Sequence, residues 1–428
     1  MEDPPRFDYS AHVAIVRSRA YVAVLGIAVA LRVAWIAAVP VVPVSDSCRY
    51  DVFAQNLAAG EGYATESGPT AYWPVGPSFL FSLCYRLFGG EHEQRFLPIA
   101  ILNLVMGTAS VALTMYIGRK WFSPRVGVVA GLLLALWPSQ VQFTTVLNSE
   151  TPMILFMLAA LAIWMAPSQT LWLRAVLAGA FLAAASYMRP TALLLPLVFC
   201  IHPLLVRLGR IRTLAGAALM AGTMLILVLP WSVRNYRVFG QFVLISTNGG
   251  TNFWMGNNPK TTGGYQSPLP AGHFGSEVER DRELRDQALE YVRQDPWAFF
   301  KRTAVKAIRL HERESIGVVW NHKGLERCFR ALSPTAQRTA IFGIKLLANG
   351  YWWAMLALAL FGVVRLARQW PPLLWLTAPP VLLWAYFAAV HAVTVIQDRY
   401  HFAAIPFMAT LAGFGVLRHR YAMELSCT

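Results

Sequence analysis

Residues 20–46 read AYVAVLGIAVALRVAWIAAVPVVPVSD: an apolar run through position 42 that carries a single charge, Arg32, and gives way four residues later to Asp46. About twenty apolar residues cross a bilayer, whereas the hydrophobic part of a cleavable leader is about 7 to 15 long, and no small-residue cleavage pattern follows. The run therefore reads as a retained first membrane span. Runs of the same kind recur at 96–118, 126–143, 151–166, 173–188, 191–206, 213–231, 341–364, 371–391 and 402–417, so the expected fold is an all-α polytopic membrane protein of about ten transmembrane helices. Of its 428 residues 56% are hydrophobic and only 14% charged, where a soluble domain would have about a quarter charged. That excludes a disordered chain, a secreted disulfide scaffold and an ordinary soluble enzyme.

The net charge of +15 would suggest a nucleic-acid binder, but its distribution argues for membrane topology instead and no nucleic-acid partner is expected. With the N-terminus inside, every inward connection is basic: Arg6, Arg17 and Arg19; Arg119, Lys120 and Arg125; Arg174; Arg207, Arg210 and Arg212; Arg365 and Arg368; Arg418 and Arg420. The short outward turns carry only Arg189 and Arg399. Both termini are then cytoplasmic, and the expected location is a bacterial inner membrane. Three regions follow: an N-terminal membrane module 1–231 with a long outward loop 43–95, an outward region 232–340, and C-terminal spans 341–428.

In the first outward loop, Tyr50, Phe53, Ala54, Leu57 and Ala58 recur at helical spacing up to Gly60, and 78–88 is apolar but too short to span. Both read as helices in the plane of the interface, with Tyr63, Tyr72 and Trp73 at headgroup depth. The Gly/Asn-rich stretch 247–259 reads as a shaped loop, followed by a charged amphipathic helix from Glu277. The five cysteines show no metal-ligand spacing; Cys48 and Cys84 could pair in an oxidising compartment, and unpaired thiols are the simpler reading.

Carboxylates are scarce enough to enumerate. Between Glu93 and Glu277 the only acidic residue is Glu150, and Asp46 lies just beyond the first span. Each has a structural reading, Asp46 as a helix N-cap and Glu150 as a first-turn charge, beside a catalytic one. Arg189, Arg234 and Arg399 sit where spans meet the outward surface, able either to grip an anionic headgroup through forked contacts or to snorkel to lipid phosphate. Arg32, mid-span, is expected to face the bundle interior, because a charge there costs about 2.5 to 3.5 kcal/mol on insertion scales.

Asp46, Tyr50, Leu57, Gly60-Glu-Gly-Tyr63, Trp73-Pro-Val-Gly-Pro77, Ser149-Glu150, Trp231-Ser-Val-Arg-Asn-Tyr236, Gly256-Asn-Asn-Pro259 and Asp398-Arg-Tyr400 follow one another along most of the chain. In this order they resemble the GT-C glycosyltransferases, in particular the bacterial relatives of protein O-mannosyltransferases and lipid A aminoarabinose transferases (glycosyltransferase family 39-like). The resemblance implies a membrane enzyme that takes a sugar from a polyprenyl phosphate on the outward face, with Asp46 as the base and Glu150 as a second acidic position. Ser47 stands where many relatives have Glu, and Val75 where a second Pro is common, which weakens any role needing a carboxylate pair.

The chemistry agrees with that assignment. A sugar phosphate carries its own leaving group, so the protein needs a base for the acceptor hydroxyl and cations for the departing phosphate. Asp46 is expected in the first role and Arg399, Arg234 and Arg189 in the second, with inversion at the anomeric carbon. The expected partners are the lipid-linked donor, a glycan, lipid or protein acceptor, and membrane lipid. No cofactor is expected; the carboxylates lack ligand spacing, and a divalent metal stays open. Two other functions compete: a secondary transporter or lipid-linked sugar flippase, and a glycan ligase or polymerase using a diphosphate-linked donor.

Overall fold

A computed structural model describes residues 19–90, 93–166, 170–206, 209–266 and 274–417. The orientation signals at Arg6, Arg17, Arg207, Arg418 and Arg420 lie outside the described residues. The chain is helical almost throughout: α1 Arg19–Ala38, α2 Asp46–Ala59, α3 Gly76–Phe88, α4 Phe96–Trp121, α5 Pro124–Leu136, α6 Pro138–Gln142, α7 Glu150–Trp164, α8 Leu171–Met188, α9 Leu195–Leu205 and α10 Arg210–Phe239 make up the first part. Then follow α11 Gly249–Asn257, α12 Glu277–Gln294, α13 Pro296–Arg309, α14 Ile316–Trp320, α15 His322–Cys328, α16 Pro334–Gln369, α17 Pro372–Thr377, α18 Pro379–Val393 and α19 Ile405–Val416. A two-stranded antiparallel hairpin, β1 Ala64–Thr65 with β2 Gly68–Pro69, interrupts the all-α pattern.

Each of the ten apolar runs coincides with an apolar helix, but length and composition support fewer crossings than ten. Five helices, α1, α4, α8, α10 and α16, are long and apolar enough, and a sixth is obtained if Pro124–Leu136 and Pro138–Thr145, bent by 59°, count as one span. The remaining four, Glu150–Trp164, Pro190–Leu205, Pro379–Val393 and Phe402–Val416, are shorter apolar helices. At about 1.5 Å per residue, fifteen residues reach about 22 Å of the roughly 30 Å a hydrocarbon core requires. The chain is a multi-pass membrane protein, with five or six spans supported among the described residues.

Small residues let the helices approach. A Cβ on Gly127 of α5 would come 2.3 Å from the Met115 carbonyl of α4, and one on Gly179 of α8 would come 2.4 Å from that of Met220 on α10. Such close backbone contact is how apolar helices associate where lipid offers no hydrophobic contrast. Arg32 is 1% exposed, donates to the Ala28 carbonyl at 3.1 Å and packs beside Gly107, on the inner face that its cost in lipid requires.

Helix α2 ends at Gly60 in the left-handed conformation (φ 85°), as its glycine predicts. Tyr63, however, is buried within the protein rather than exposed at its surface. It is 3% exposed, packs edge-on against Trp231 and donates its hydroxyl to the Trp73 carbonyl, because Phe53, Val75 and Trp231 enclose it. Cys48 and Cys84 are both free thiols.

The Gly/Asn-rich stretch is the clearest departure from expectation: it holds a helix, α11. Its glycines serve close packing rather than a turn. A Cβ on Gly250 would lie 1.9 Å from the Asp281 carbonyl of α12, and one on Gly256 would lie 1.6 Å from that of Thr394. Asp281 also accepts hydrogen bonds from the Thr251 amide and hydroxyl, satisfying the first turn of α11. The positions 231 and 340 fall inside α10 and α16, so helices run continuously between the membrane part and the region between them.

Candidate functional site

At one end of the bundle a cavity of about 1790 Å³ opens between α2, the hairpin, the stretch 244–265 and the strap 394–400 that follows α18. Asp46 begins α2 on its wall. The residue before it, Ser45, has φ 52° and ψ −127° and is the only non-glycine with positive φ among the described residues. Strained backbone of this kind persists where surrounding contacts over-determine it. Ser45 occupies the cap position, so the Asp46 carboxylate is not spent on capping. Its Oδ2 accepts from Arg399 Nη2 at 2.6 Å, while Oδ1 receives only a long contact, 3.4 Å, from Trp73 Nε1.

Arg399 is shared. Its Nη1 lies 3.7 Å from Glu150 Oε1, its Nε donates to Gln397, and its guanidinium lies 4.5 Å from the Trp320 ring. Burial opposes the Arg399 charge, but Glu150 and Asp46 outweigh it and raise its pKa, so the group is a permanent cation. Glu150 is 3% exposed and sits behind the cavity wall, where it receives Arg189 Nη1 at 2.5 Å together with the amide and hydroxyl of Ser149. Arg189 in turn covers Tyr400, which stacks on His391 at 4.6 Å. Two carboxylates and two arginines thus form one neutral chain: Asp46, Arg399, Glu150, Arg189.

Three predicted residues therefore join Asp46 at the site, and the fourth does not. Arg234 donates to the carbonyls of Thr70 and Tyr63, both at 2.8 Å, and lies over Trp231. It fastens the hairpin and does not line the cavity. Glu150 does not line the main cavity and pairs with Arg189 and Arg399 behind its wall. Ser47 is buried and donates to the Leu147 carbonyl at 2.8 Å, so position 47 faces the core rather than the cavity.

The other cavity carboxylates are engaged or peripheral. Glu277 accepts from the Ala71 amide, Thr70 and Thr247; Asp398 accepts from the Ser315 amide and hydroxyl; Glu66 is exposed between the two hairpin strands. Among the described residues, no three His, Cys, Asp or Glu side chains come together as a metal site.

Four cavity cations, Arg49, Arg280, Arg309 and Arg313, escaped the sequence reading, and Arg309 lies 3.9 Å from Glu312. Arg49, one helical step from Asp46, lies 5.9 Å from the Trp73 ring, and Arg313 lines the opposite wall, two residues before the Ser315 that Asp398 holds. Neither Arg49 nor Arg313 forms an ion pair with a carboxylate among the described residues. Arg49 was legible from its i+3 spacing to Asp46; Arg313 had no such signal, because the loop 310–315 reaches the site only through tertiary contacts. Tyr50, one turn on from Asp46, is 4% exposed where it lines the cavity, and burial holds its phenol above the ordinary pKa.

Residues 73–233 match the family model described as dolichyl-phosphate-mannose-protein mannosyltransferase. No curated protein matches the chain in sequence. Among solved structures, the archaeal oligosaccharyltransferase AglB from Archaeoglobus fulgidus, in complex with an inhibitory peptide and a dolichol-phosphate, aligns at TM-score 0.56 and 13% identity, covering 93% of this chain and 50% of that one. The apo form of the same archaeal enzyme gives TM-score 0.56 and 13% identity, over 96% of this chain and 51% of that one. ArnT from Cupriavidus metallidurans bound to undecaprenyl phosphate aligns at TM-score 0.45 and 18% identity, with 92% and 77% covered. The chain spans about half the length of the archaeal enzyme, and shares its fold. The match across residues 73–233, which holds Glu150 and Arg189, makes that part of the chain similar to the dolichyl-phosphate-mannose-protein mannosyltransferase family.

Proposed function

We propose that the protein transfers a sugar from a polyprenyl phosphate to an acceptor hydroxyl on the outward face of the membrane, with Asp46 as general base. The observation that carries this reading is the asymmetry of the Asp46 carboxylate. One oxygen is fixed by Arg399, while Oδ1, held only by the long Trp73 contact, borders the cavity. A base needs that combination of orientation and a free lone pair.

In the reaction the acceptor oxygen attacks the anomeric carbon as the bond from that carbon to the phosphate oxygen breaks. The hydroxyl proton passes to Asp46 Oδ1, the electron pair of the broken bond leaves with the polyprenyl phosphate, and the anomeric centre inverts. Arg49 and Arg313, which form no ion pair with a carboxylate among the described residues, bind the phosphate and stabilise the charge that grows on it. Arg399 and Arg189 are already engaged, and act by holding Asp46 and the Tyr400 wall in place. The polyprenyl donor is supported by the family match and by the lipid phosphate bound to the archaeal enzyme of the same fold. The sidedness rests on the basic inward connections, with both termini cytoplasmic.

The test uses purified protein in nanodiscs with polyprenyl-phosphate sugars of several kinds. Asp46→Asn is expected to bind donor normally and to lose transfer by about 10²- to 10⁴-fold, the range a positioned base contributes. Arg49→Ala with Arg313→Ala is expected to lose donor binding. Near-normal transfer by Asp46→Asn removes the base assignment, and substrate movement across vesicles without any transfer would favour a transporter instead.

A further inference from the structure

Helix α13, Pro296–Arg309, has two faces that the site does not explain together. On the inner face Lys306 is 1% exposed, and its ammonium shares its three N–H donors among four oxygens within reach: Gly256 O at 3.0 Å, Asn257 Oδ1 at 3.2 Å, Val393 O at 3.3 Å and Thr394 O at 2.8 Å. Arg309 adds a bond to the Thr262 carbonyl at 2.6 Å. These contacts fix the rotation of the helix about its axis. At about 100° per residue, Trp297, Phe300, Ala304 and Ile308 then share a face roughly opposite Lys306.

That outer face is uncovered. Trp297 is 67% exposed, Phe300 61% and Ile308 75%, and Val305, at its flank, is 51% exposed. The helix cannot bury the face by turning, since turning would take Lys306 out of its four-oxygen seat. The segment contains four cations, Lys301, Arg302, Lys306 and Arg309, and no carboxylate. Lys301 is exposed and lies 5.5 Å from the Trp297 ring, so a positive charge stands beside the apolar surface. The helix also packs on α18, one of the apolar helices of the membrane part.

An apolar strip with Trp and Phe, bordered by basic residues and attached to a membrane bundle, has the composition of a helix lying in the bilayer interface among anionic headgroups. We propose that α13 is a bilayer-surface helix: it seats Trp297, Phe300 and Ile308 in the outward leaflet and selects anionic lipid through Lys301. The same helix holds, through Lys306, the two backbone segments 256–257 and 393–394 that flank the cavity. The bilayer thereby becomes part of what positions the cavity walls. The inference depends on the protein being membrane-embedded, and not on the proposed transfer reaction.

The full chain is labelled with a bimane fluorophore at Ile308→Cys, in a background where Cys48, Cys328 and Cys427 are replaced by Ser, and reconstituted in nanodiscs of phosphatidylcholine and phosphatidylglycerol. A second label at Glu290→Cys on α12 is the solvated control. The expected result is strong quenching at 308 by lipids brominated near the headgroup, and weak quenching by aqueous iodide, with the reverse at 290. Brominated phosphatidylglycerol should quench position 308 at least twofold more than brominated phosphatidylcholine at equal mole fraction, and Lys301→Gln should abolish the difference. Quenching at 308 by iodide alone would overturn the proposal. Shielding from both quenchers, with crosslinks between copies through position 308, would assign the face to a second copy and overturn it as well. Sugar transfer that persists while lipid quenching is absent separates failure of this inference from failure of the proposed function.

Discussion

Replacing Glu150 by Gln tests whether this carboxylate is structural or chemical. The side chain is 3% exposed and faces Arg189 Nη1 at 2.5 Å and Arg399 Nη1 at 3.7 Å, with two further bonds from Ser149. Glutamine keeps the shape and one acceptor, but turns an amide donor toward guanidinium donors and removes the charge between two cations. Breaking a buried ion pair from one side costs about 3 to 5 kcal/mol. Arg189 is 17% exposed and Arg399 keeps Asp46, so the lower end, about 3 kcal/mol, applies. The readout is the half-life of thermal inactivation in detergent micelles. If the pairs are lost in the unfolding transition state, about 3 kcal/mol shortens it by roughly 100-fold. Asp46→Asn is the comparison, because Asp46 is 23% exposed and pairs with one arginine; its loss is expected to cost about 1 kcal/mol or less. A Glu150→Gln protein as long-lived as the parent but inactive would refute the reasoning, since Glu150 would then be acting in the chemistry.

Gly256→Ala places a methyl 1.6 Å from the Thr394 carbonyl oxygen, between two segments that Lys306 holds together, and is expected to destabilise by about 3 kcal/mol. Gly343→Ala, with nothing within 4 Å, is the neutral or mildly stabilising control in the same melting experiment. His311 accepts from Trp384 Nε1 at 2.9 Å and its Nδ1 faces the Ala307 carbonyl at 2.9 Å; burial lowers its pKa from 6.5 to about 4. A depressed folded-state pKa gives stability that is present above pH 6.5 and lost as pH falls through about 4, amounting to about 3 kcal/mol. Burial raises the pKa of the neighbouring Glu314, which acts in the opposite sense: its contribution is present at low pH and falls as pH rises. His311→Gln should therefore flatten the stability profile between pH 6.5 and 4, measured as apparent melting temperature, and an unchanged slope would exclude His311 as the source.

What the chain itself determined is the part governed by local composition. Runs of apolar residues specify helices wherever they are placed, so the ten segments were legible, and so were the glycine end of α2 and the inward face of Arg32. The scarcity of acidic residues likewise singled out Asp46 and Glu150. Hydrophobicity alone did not fix how many helices cross, because Pro138 and Pro379 break or shorten segments whose composition reads as continuous. Tertiary structure decided which charges face the cavity. Arg234 and Arg399 look alike in sequence, each beside aromatic residues at the end of an apolar run. Carbonyls of the hairpin capture the first, and Asp46, 353 residues away, captures the second. Such partners are set by long-range packing, which no local pattern encodes. The same holds for α11, where glycines that by themselves favour a turn are held helical by Asp281 and by backbone contacts with α12. In this protein the sequence names the groups capable of chemistry, and the packing of distant segments determines which of them are left free to perform it.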